Sequence, residues 1–324
     1  MLFERAAHFF EQKPRRIVFD EEFDAIGQKA DDTVLVNLPL HFSFALVAQA
    51  LATLMRGGRL VISGPPFHAP TYLQHLATHG VTISSLTPVL VRSLPEREGR
   101  WPESLRVLTV GGDSLAAEKV EQLVRARPGG ELYLTYGLTQ AGPRVATLAA
   151  HREPTTRYRS AGRPFPGTQV MLEDLGDGTG RKQLLIASDT LMQRRLGRVE
   201  GRTTDDWHSP GVLATGDVFE QDADGYLYYG GRLADWIVRR GDKVSLAAVR
   251  RVAAQLPGVV RAQTHIVHHA NGETDFDLTL VLHATSDVHS TDYRLQLGRF
   301  LRRGELPRRI QVVTADSCTS LGYK

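Results

Sequence analysis

The chain reads as an α/β protein built as two unequal domains, and three observations predict it. Strand-like runs alternate with helical patterns up to about residue 160. Short strands with tight turns take over from residue 161, and after Arg232 the α/β rhythm returns. At 324 residues the chain is too long for one ordinary core and long enough for two.

Each element has its own signal. Residues 33–38 form a short apolar run, and 44–55 a helical pattern of small and apolar residues. Residues 59–63 are strand-like, 71–78 helical, 81–85 strand-like, and 105–110 a strand ending at Gly111-Gly112. Leu115, Val120, Leu123 and Val124 then recur at helical spacing, with Ser114 placed to cap them. Residues 132–135 give another short strand. This βαβα order predicts a largely parallel sheet covered by helices. Beyond residue 161, runs at 169–172, 183–187 and 226–229, with Asp177-Gly178 as a hairpin turn, predict a small antiparallel, barrel-like subdomain. Towards the end of the chain, Leu246, Val249, Val252 and Leu256 share a helical face that Pro257-Gly258 stops. Phe276, Leu278, Leu280 and Leu282 alternate as a half-buried strand, followed by a helix over 293–301 and a strand over 310–313. The expected division is a larger domain over 1–231 and a smaller one over 232–324. Within the larger domain, residues 1–160 are the α/β region and residues 161–231 the β-rich one.

Bulk composition excludes several classes. Hydrophobic residues at 42% and charged residues at 23% are incompatible with extended disorder. A formal charge of +3 is too small to imply nucleic acid as a partner. Cys318 is the single cysteine, which excludes an intrachain disulfide and fits a reducing cytoplasm. No stretch approaches the roughly 20 apolar residues of a membrane span. Residues 44–55 come nearest, but the run is shorter and carries Gln49. Met1-Leu2-Phe3 leads straight into Glu4 and Arg5 and a helical pattern over 2–10, with no signal-peptide organisation. The expected location is cytoplasmic.

The chemistry lies in an ordered set of short motifs: Tyr136-Gly137-Leu138-Thr139-Gln140, then Thr215-Gly216-Asp217, Gly231-Arg232, and Gly241-Asp242-Lys243-Val244. The set, in this order, resembles the adenylate-forming superfamily: acyl-CoA synthetases, aryl-CoA ligases and adenylation domains that load carrier proteins. The resemblance covers nearly the whole chain and starts inside that family's large N-terminal domain. It implies the remainder of a multi-layer N-terminal domain followed by a small, mobile α+β C-terminal lid. The family's phosphate loop has no counterpart upstream of Leu38. The resemblance implies an AMP-forming carboxylic acid:thiol ligase that takes ATP with Mg²⁺, a small carboxylic acid, and CoA or the phosphopantetheine of an acyl carrier protein. The alternative is a catalytically impaired nucleotide- or acyl-binding homologue, or a gene fragment, without the phosphate loop.

Site roles follow from the resemblance position by position. It implies that Tyr136 stacks on adenine beside Gly137, and that the Thr139 hydroxyl meets the α-phosphate. Gln140 stands where the family's Glu holds Mg²⁺, and a neutral amide is a poorer ligand for a hard cation than a carboxylate. Asp217 corresponds to the acceptor of both ribose hydroxyls, suited by several lone pairs in one plane, and Arg232 to a second ribose or phosphate contact. Gly111-Gly112-Asp113 matches the glycine stretch lining the acyl and adenine pockets, where backbone approaches ligand closely. His41 and Phe42, in Leu38-Pro39-Leu40-His41-Phe42, fall at the acyl pocket in reversed order relative to the family's aromatic-then-His. Ala234 sits at the hinge, Gly241 in the thiol tunnel, and the terminal Lys324 near the place of the catalytic lysine, displaced from Gly322 by Tyr323.

Other signals are discounted. Residues 176–182 lack Walker spacing and read as a hairpin turn. Asp222-Ala223-Asp224-Gly225 begins like a calcium loop but runs into a strand. His265, His268, His269, His283 and His289 lack paired ligand spacing. The Arg pairs at 239–240, 250–251, 302–303 and 308–309 read as solvated faces or as a surface for an acidic carrier or CoA phosphates.

Overall fold

The structure, a computed structural model, describes residues 25–64, 66–94, 101–176, 178–193, 207–239, 242–269, 273–283 and 292–314. The helical pattern over 2–10, Asp177, Gly241, His289 and Lys324 lie outside these residues. The described chain is α/β, with one seven-stranded sheet at its centre.

Five parallel strands carry that sheet: β1 (Thr33–Val36), β2 (Arg59–Ile62), β3 (Ile83–Leu86), β4 (Val107–Gly111) and β5 (Glu131–Tyr136). Strands β1, β3 and β4 are buried throughout, as expected for continuous apolar runs in a covered parallel sheet. The spatial order is β2-β1-β3-β4-β5, extended by β6 (Ala146–Ala149) and β7 (Arg163–Pro164). Strands β6 and β7 join antiparallel, an extension that the parallel reading of the sequence did not include.

Helical segments connect the parallel strands. The first, α1, runs as α-helix Ser43–Ala45, a π-helical stretch Leu46–Leu51, and α-helix Ala52–Arg56, ending at Gly57 with φ +83°. The others are α2 (Ala69–Thr78), α3 (Pro88–Ser93) and α4 (Ala117–Arg125). Their apolar residues, such as Tyr72 and Leu76, Leu90 and Val91, and Val120 and Leu123, share one core with Leu35, Leu86 and Leu108 of the sheet. Ser114 does not cap α4. The helix begins after Ala116, which leaves Ser114 too far upstream to accept from its first N–H groups; the backbone N–H of Ser114 is itself bound by the Asp113 carboxylate at 2.7 Å.

The amino ends of the parallel strands are held by a polar staple. Arg106 bonds the buried Asp32 at 2.8 Å and Glu131 at 3.1 Å, and Thr82 donates to Asp32 at 2.7 Å. These residues precede or open β1, β3, β4 and β5, so one cluster ties four strand ends. The opposite, carboxyl ends carry Asn37, Thr87, Gly111-Gly112 and Tyr136-Gly137.

The second sheet contains β8 (Gln169–Asp174), β9 (Lys182–Ala187), β10 (Trp207–Ser209), β11 (Val212–Gln221) and β12 (Leu227–Arg232), all antiparallel. Its core of Leu184, Ile186, Leu213, Phe219 and Leu227 packs on Ala141, Val145, Tyr136 and Leu138, the segment leaving β5. The hairpin expected at residues 176–182 is there: β8 and β9 face each other from Asp174 with Lys182. Asp222 and Asp224 bind Arg157 rather than forming a cation loop. Gly162 forms an isolated bridge with Leu227, beside β6.

The remaining strands are a hairpin, β13 (Trp236–Arg239) with β14 (Asp242–Ser245), and a sheet of β15 (Val259–His268), β16 (Thr274–Leu282) and β17 (Ile310–Thr314). Helix α5 (Leu246–Ala253) is capped by the Ser245 hydroxyl, which accepts from Ala248 N–H at 3.2 Å. Helix α6 spans Tyr293–Leu297, and the backbone bonds of Arg299, Phe300 and Leu301 continue it as turns to the end of the 293–301 pattern. Leu246, Val249, Leu256, Phe276, Leu278, Leu280 and Leu282 form a core of their own, as the periodicity predicted. His265 and His268 are exposed, and no group of three or more metal-binding side chains occurs among the described residues. No described helix is long and apolar enough to cross a membrane.

Gly162 tests how tightly β6 meets the second sheet. Its φ is +90°, and a Cβ there would stand 2.0 Å from Thr147 backbone atoms, whereas Gly176, also at positive φ, has open space around it. Gly176→Ala is expected to cost about 1 kcal/mol, the strain of the backbone alone. Gly162→Ala is expected to cost more than about 3 kcal/mol, because rigid backbone must move. Urea denaturation of the two variants measures the difference.

Candidate functional site

The carboxyl end of a parallel sheet is where loops from several strands can meet a ligand. Here the loop after β5 turns directly against the second sheet. Gly137 makes that turn possible: a Cβ would lie 2.0 Å from the Pro143 carbonyl oxygen. The following residues, Thr139–Ala141, form a 3₁₀ turn.

The turn brings Tyr136 to Asp217. The Tyr136 hydroxyl donates to Asp217 Oδ2 at 2.7 Å, and the Arg232 guanidinium Nε lies 2.8 Å from Oδ1. Residues far apart in the chain thus share one carboxylate. Asp217 is 1% exposed, while the Arg232 side chain over it is 57% exposed. The pairing is built into β11 and β12, where Asp217 faces Arg232 in register. Gly216 adopts φ +70° just before it, and Thr215 steadies the bend by donating to Leu184 O at 2.7 Å and accepting from Asp217 N–H at 3.0 Å.

Burial pushes the Asp217 carboxyl up, against the opposite pull of Arg232 and the Tyr136 hydroxyl. Tyr136 is raised well above the usual phenol value by burial and by the negative Asp217, so it stays a neutral donor. Arg232 is raised: burial works against its charge, and the Asp217 carboxylate outweighs it.

An aromatic row backs this corner. Tyr136 packs edge-on against Phe219 at 4.7 Å between centroids, and Phe219 against Tyr229 at 5.4 Å. The Tyr229 hydroxyl is raised by burial first, then by the charges of Asp217 and Asp113. That links the Gly111-Gly112-Asp113 stretch electrostatically to the Asp217 corner. Phe219 and Tyr229 were not singled out from the sequence, although Phe219 sits two residues after Asp217, where strand alternation returns a side chain to the same face.

The segment before α1 approaches from the other side. Ser43 Oγ and Thr139 Oγ1 are 3.1 Å apart, joining the start of α1 to the turn after β5. A Cβ on Gly111 would meet Thr135 Cγ2 at 2.6 Å, so a side chain there displaces Thr135, and Phe44 Cζ stands 3.4 Å from the same point. Phe44 thus stands against the glycine stretch, and Ser43 against the turn after β5. His41 is exposed, its ring 4.1 Å from that of Phe42. Gln140 is half-buried, and its backbone carbonyl accepts from Met192 N–H at 2.8 Å.

Ala234 lies in the 3₁₀ turn Leu233–Asp235 that follows β12. Asp235 pairs with Arg250 of α5 at 2.8 Å, and Trp236 lies 4.0 Å beneath the guanidinium of Arg181, which comes from the turn before β9. Arg92 of α3 donates to Val260 O at 3.0 Å. The Arg181–Trp236 and Arg92–Val260 contacts join the last strands to the rest of the chain, while the Asp235–Arg250 pair lies within them.

Comparison with known proteins bears on this arrangement. The model of the family described as AMP-binding enzyme matches residues 15–193. A 2-succinylbenzoate–CoA ligase from Bacillus mycoides is 28% identical over 242 residues, covering 73% of this chain and 49% of the relative. A salicylyl-CoA synthase / salicylate adenylyltransferase from a Streptomyces species is 30% identical over 250 residues, covering 74% and 44%. The chain thus spans about half the length of the curated relatives it matches. Among solved structures, o-succinylbenzoate CoA synthetase from Bacillus subtilis, bound to its acyl-adenylate intermediate, superposes with TM-score 0.75 at 22% identity, over 92% of this chain and 60% of that one. An amide bond synthetase from Marinactinospora thermotolerans gives TM-score 0.72 at 24% identity, over 92% and 61%. These structural likenesses establish the fold.

The buried carboxylate yields a pH test. A carboxyl raised on folding binds more protons folded than unfolded, so its contribution to stability falls as pH rises through the carboxyl range. Asp217→Asn is therefore expected to melt above the unsubstituted chain at pH 7, and the gap is expected to close as pH falls toward 4. Paired thermal melts across that range check it.

Proposed function

The chain belongs to the AMP-binding enzyme family, and from that premise we propose that it holds ATP at the Tyr136–Asp217–Arg232 corner and acts as an AMP-forming carboxylic acid:thiol ligase. The observation that carries this reading is a single buried carboxylate shared by a tyrosine and an exposed arginine, reached by three separate segments. A carboxylate offers about four acceptor positions, and Tyr136 and Arg232 occupy two. The remainder suit a vicinal diol such as a ribose, with Arg232, the exposed member, swinging aside to admit it. Gly111, Gly112 and Asp113 line the approach, and Tyr136 and Gly137 form the aromatic and backbone wall for the base. These donor and acceptor types fit a nucleotide.

Thr139, hydrogen-bonded to Ser43, has its hydroxyl at the strand-end edge where an α-phosphate would lie. Its role is to orient that phosphate for attack by the acid's carboxylate, and positioning of this kind supplies most of the catalysis in phosphoryl-type transfers. Lys324 is proposed to steady the same charge, and Gly241 to border the path of the thiol of CoA or a carrier phosphopantetheine. Mg²⁺ would neutralise phosphate charge and be held chiefly by the phosphates and water, with Gln140 a weak neutral contact. His41 and Phe42 edge the acid pocket. Residues 1–231 would form the core, α/β up to residue 160 and β-rich from 161, with 232–324 as a lid turning about Ala234. That rotation breaks the Arg181–Trp236 stack and carries the Arg250–Asp235 pair along intact. The names of the relatives, for succinylbenzoate and salicylate, support an aromatic acid as substrate, and a cytoplasmic setting fits CoA chemistry.

A second reading is favoured by one observation, the neutral Gln140 where the metal-holding carboxylate is expected: a homologue that binds nucleotide but ligates poorly. Both readings expect ATP with Mg²⁺ to raise the melting temperature. At a hundred times Kd the gain is about 2.7 kcal/mol, and Asp217→Asn is expected to remove most of it. Pyrophosphate release with a panel of aromatic acids separates the ligase from the binder. A well-folded chain with no shift on ATP would sink both.

A further inference from the structure

The buried hydroxyls within the main sheet are satisfied almost strand by strand. Tyr72 donates to Ser84 at 3.0 Å, Thr109 to Ser85 at 2.7 Å, and Thr135 to Ala146 O at 3.3 Å. Two residues at the carboxyl edge break that pattern. Asn37, 2% exposed, follows β1, and neither its amide nitrogen nor its amide oxygen has a partner among the described residues. Thr87, 8% exposed, follows β3, and its hydroxyl has none among them.

Strands β1 and β3 are adjacent and parallel, so both residues lie at the same end of the sheet. Thr87 also borders the glycine stretch, since its Cγ2 is 3.7 Å from where a Cβ on Gly112 would stand. Leaving a buried amide or hydroxyl unmet forfeits its hydration with nothing in return. A fold that satisfies its neighbouring hydroxyls and leaves these two open marks them for a ligand group.

Resting on the proposed ligase reading, we propose that Asn37 and Thr87 are specificity residues of the acid pocket, selecting an aromatic carboxylic acid that bears an uncharged hydroxyl or carbonyl substituent. An amide and a hydroxyl together both donate and accept, so they match a neutral group that does the same or accepts alone. They carry no charge, so a second carboxylate on the acid gains nothing from them and stays costly to bury.

The test uses the full chain, with and without saturating ATP, and titrates benzoate, the three hydroxybenzoates and benzene-1,4-dicarboxylate by calorimetry. At least one hydroxybenzoate is expected to bind about tenfold tighter than benzoate, one good hydrogen bond to an otherwise unmet group, with the dicarboxylate no better than benzoate. Thr87→Val and Asn37→Leu are each expected to bring that ratio close to one. Both variants are expected to melt at or above the unsubstituted chain, because an apolar group of similar shape removes an unmet polar one. Protection by ATP should persist in both.

A chain that is protected by ATP yet binds all the acids alike overturns this proposal and leaves the nucleotide site standing. Variants that keep the hydroxyl preference overturn it too. A marked loss of melting temperature in Thr87→Val also overturns it, since a buried water would then be satisfying the hydroxyl. If ATP protects nothing, the titrations without nucleotide still decide, because a hydroxyl preference lost in both variants upholds the acid subsite by itself.

Discussion

Everything at the candidate site depends on the staple at the opposite edge of the main sheet. Arg106 bridges Asp32 and Glu131, and Thr82 adds a bond to the same aspartate, so the amino ends of β1, β3, β4 and β5 are drawn level. In a parallel sheet, levelling one end levels the other. The carboxyl ends therefore present Asn37, Thr87, Gly111-Gly112 and Tyr136-Gly137 along one edge. Arg127 reinforces the staple by donating to the backbone carbonyls of Leu105, Arg106 and Glu131. Burial lowers its guanidinium to about 10, with Tyr72 and Glu131 pulling the other way, so it keeps its charge at neutral pH. Charge gathers at the amino ends of the main sheet, while the strand ends facing the site, Asn37, Thr87, Gly111-Gly112 and Tyr136-Gly137, are uncharged.

The second sheet completes the site because of one close approach. Gly137 lets the chain after β5 pass against Pro143, and the segment beyond it then packs into the core of β9, β11 and β12. That packing sets Tyr136 against Phe219 and within reach of Asp217. The carboxylate is costly to bury, as its raised pKa shows, and it persists because Tyr136 and Arg232 bind it from two sides. Stability is given up locally at this corner, a common arrangement at functional sites.

Much of the fold was legible in the residues alone. The βαβα rhythm, the hairpin at 176–182, and the face of Leu246, Val249 and Leu256 are local patterns, and they fold as read because burial of one face rewards a fixed period. What was misread also has local causes. Ser114 looked like a cap, but α4 begins only after Ala116, two residues beyond it. Strands β6 and β7 are short, and they exist because β5 had a free edge to pair with, a cause that lies outside their own sequence.

Sequence by itself determined the α/β class, the family and the order of the motifs, because these depend on periodicity and on residue types that chemistry requires at given places. It did not determine which motif residues meet. Tyr136, Asp217 and Arg232 converge only through the pairing of β11 with β12 and the turn at Gly137; Ser43 reaches Thr139, and Phe44 reaches Gly111, through the placing of α1 against the end of the sheet. The unmet amide of Asn37 and hydroxyl of Thr87 are likewise facts of packing, since whether a polar group has a partner depends on the neighbours that tertiary structure brings to it.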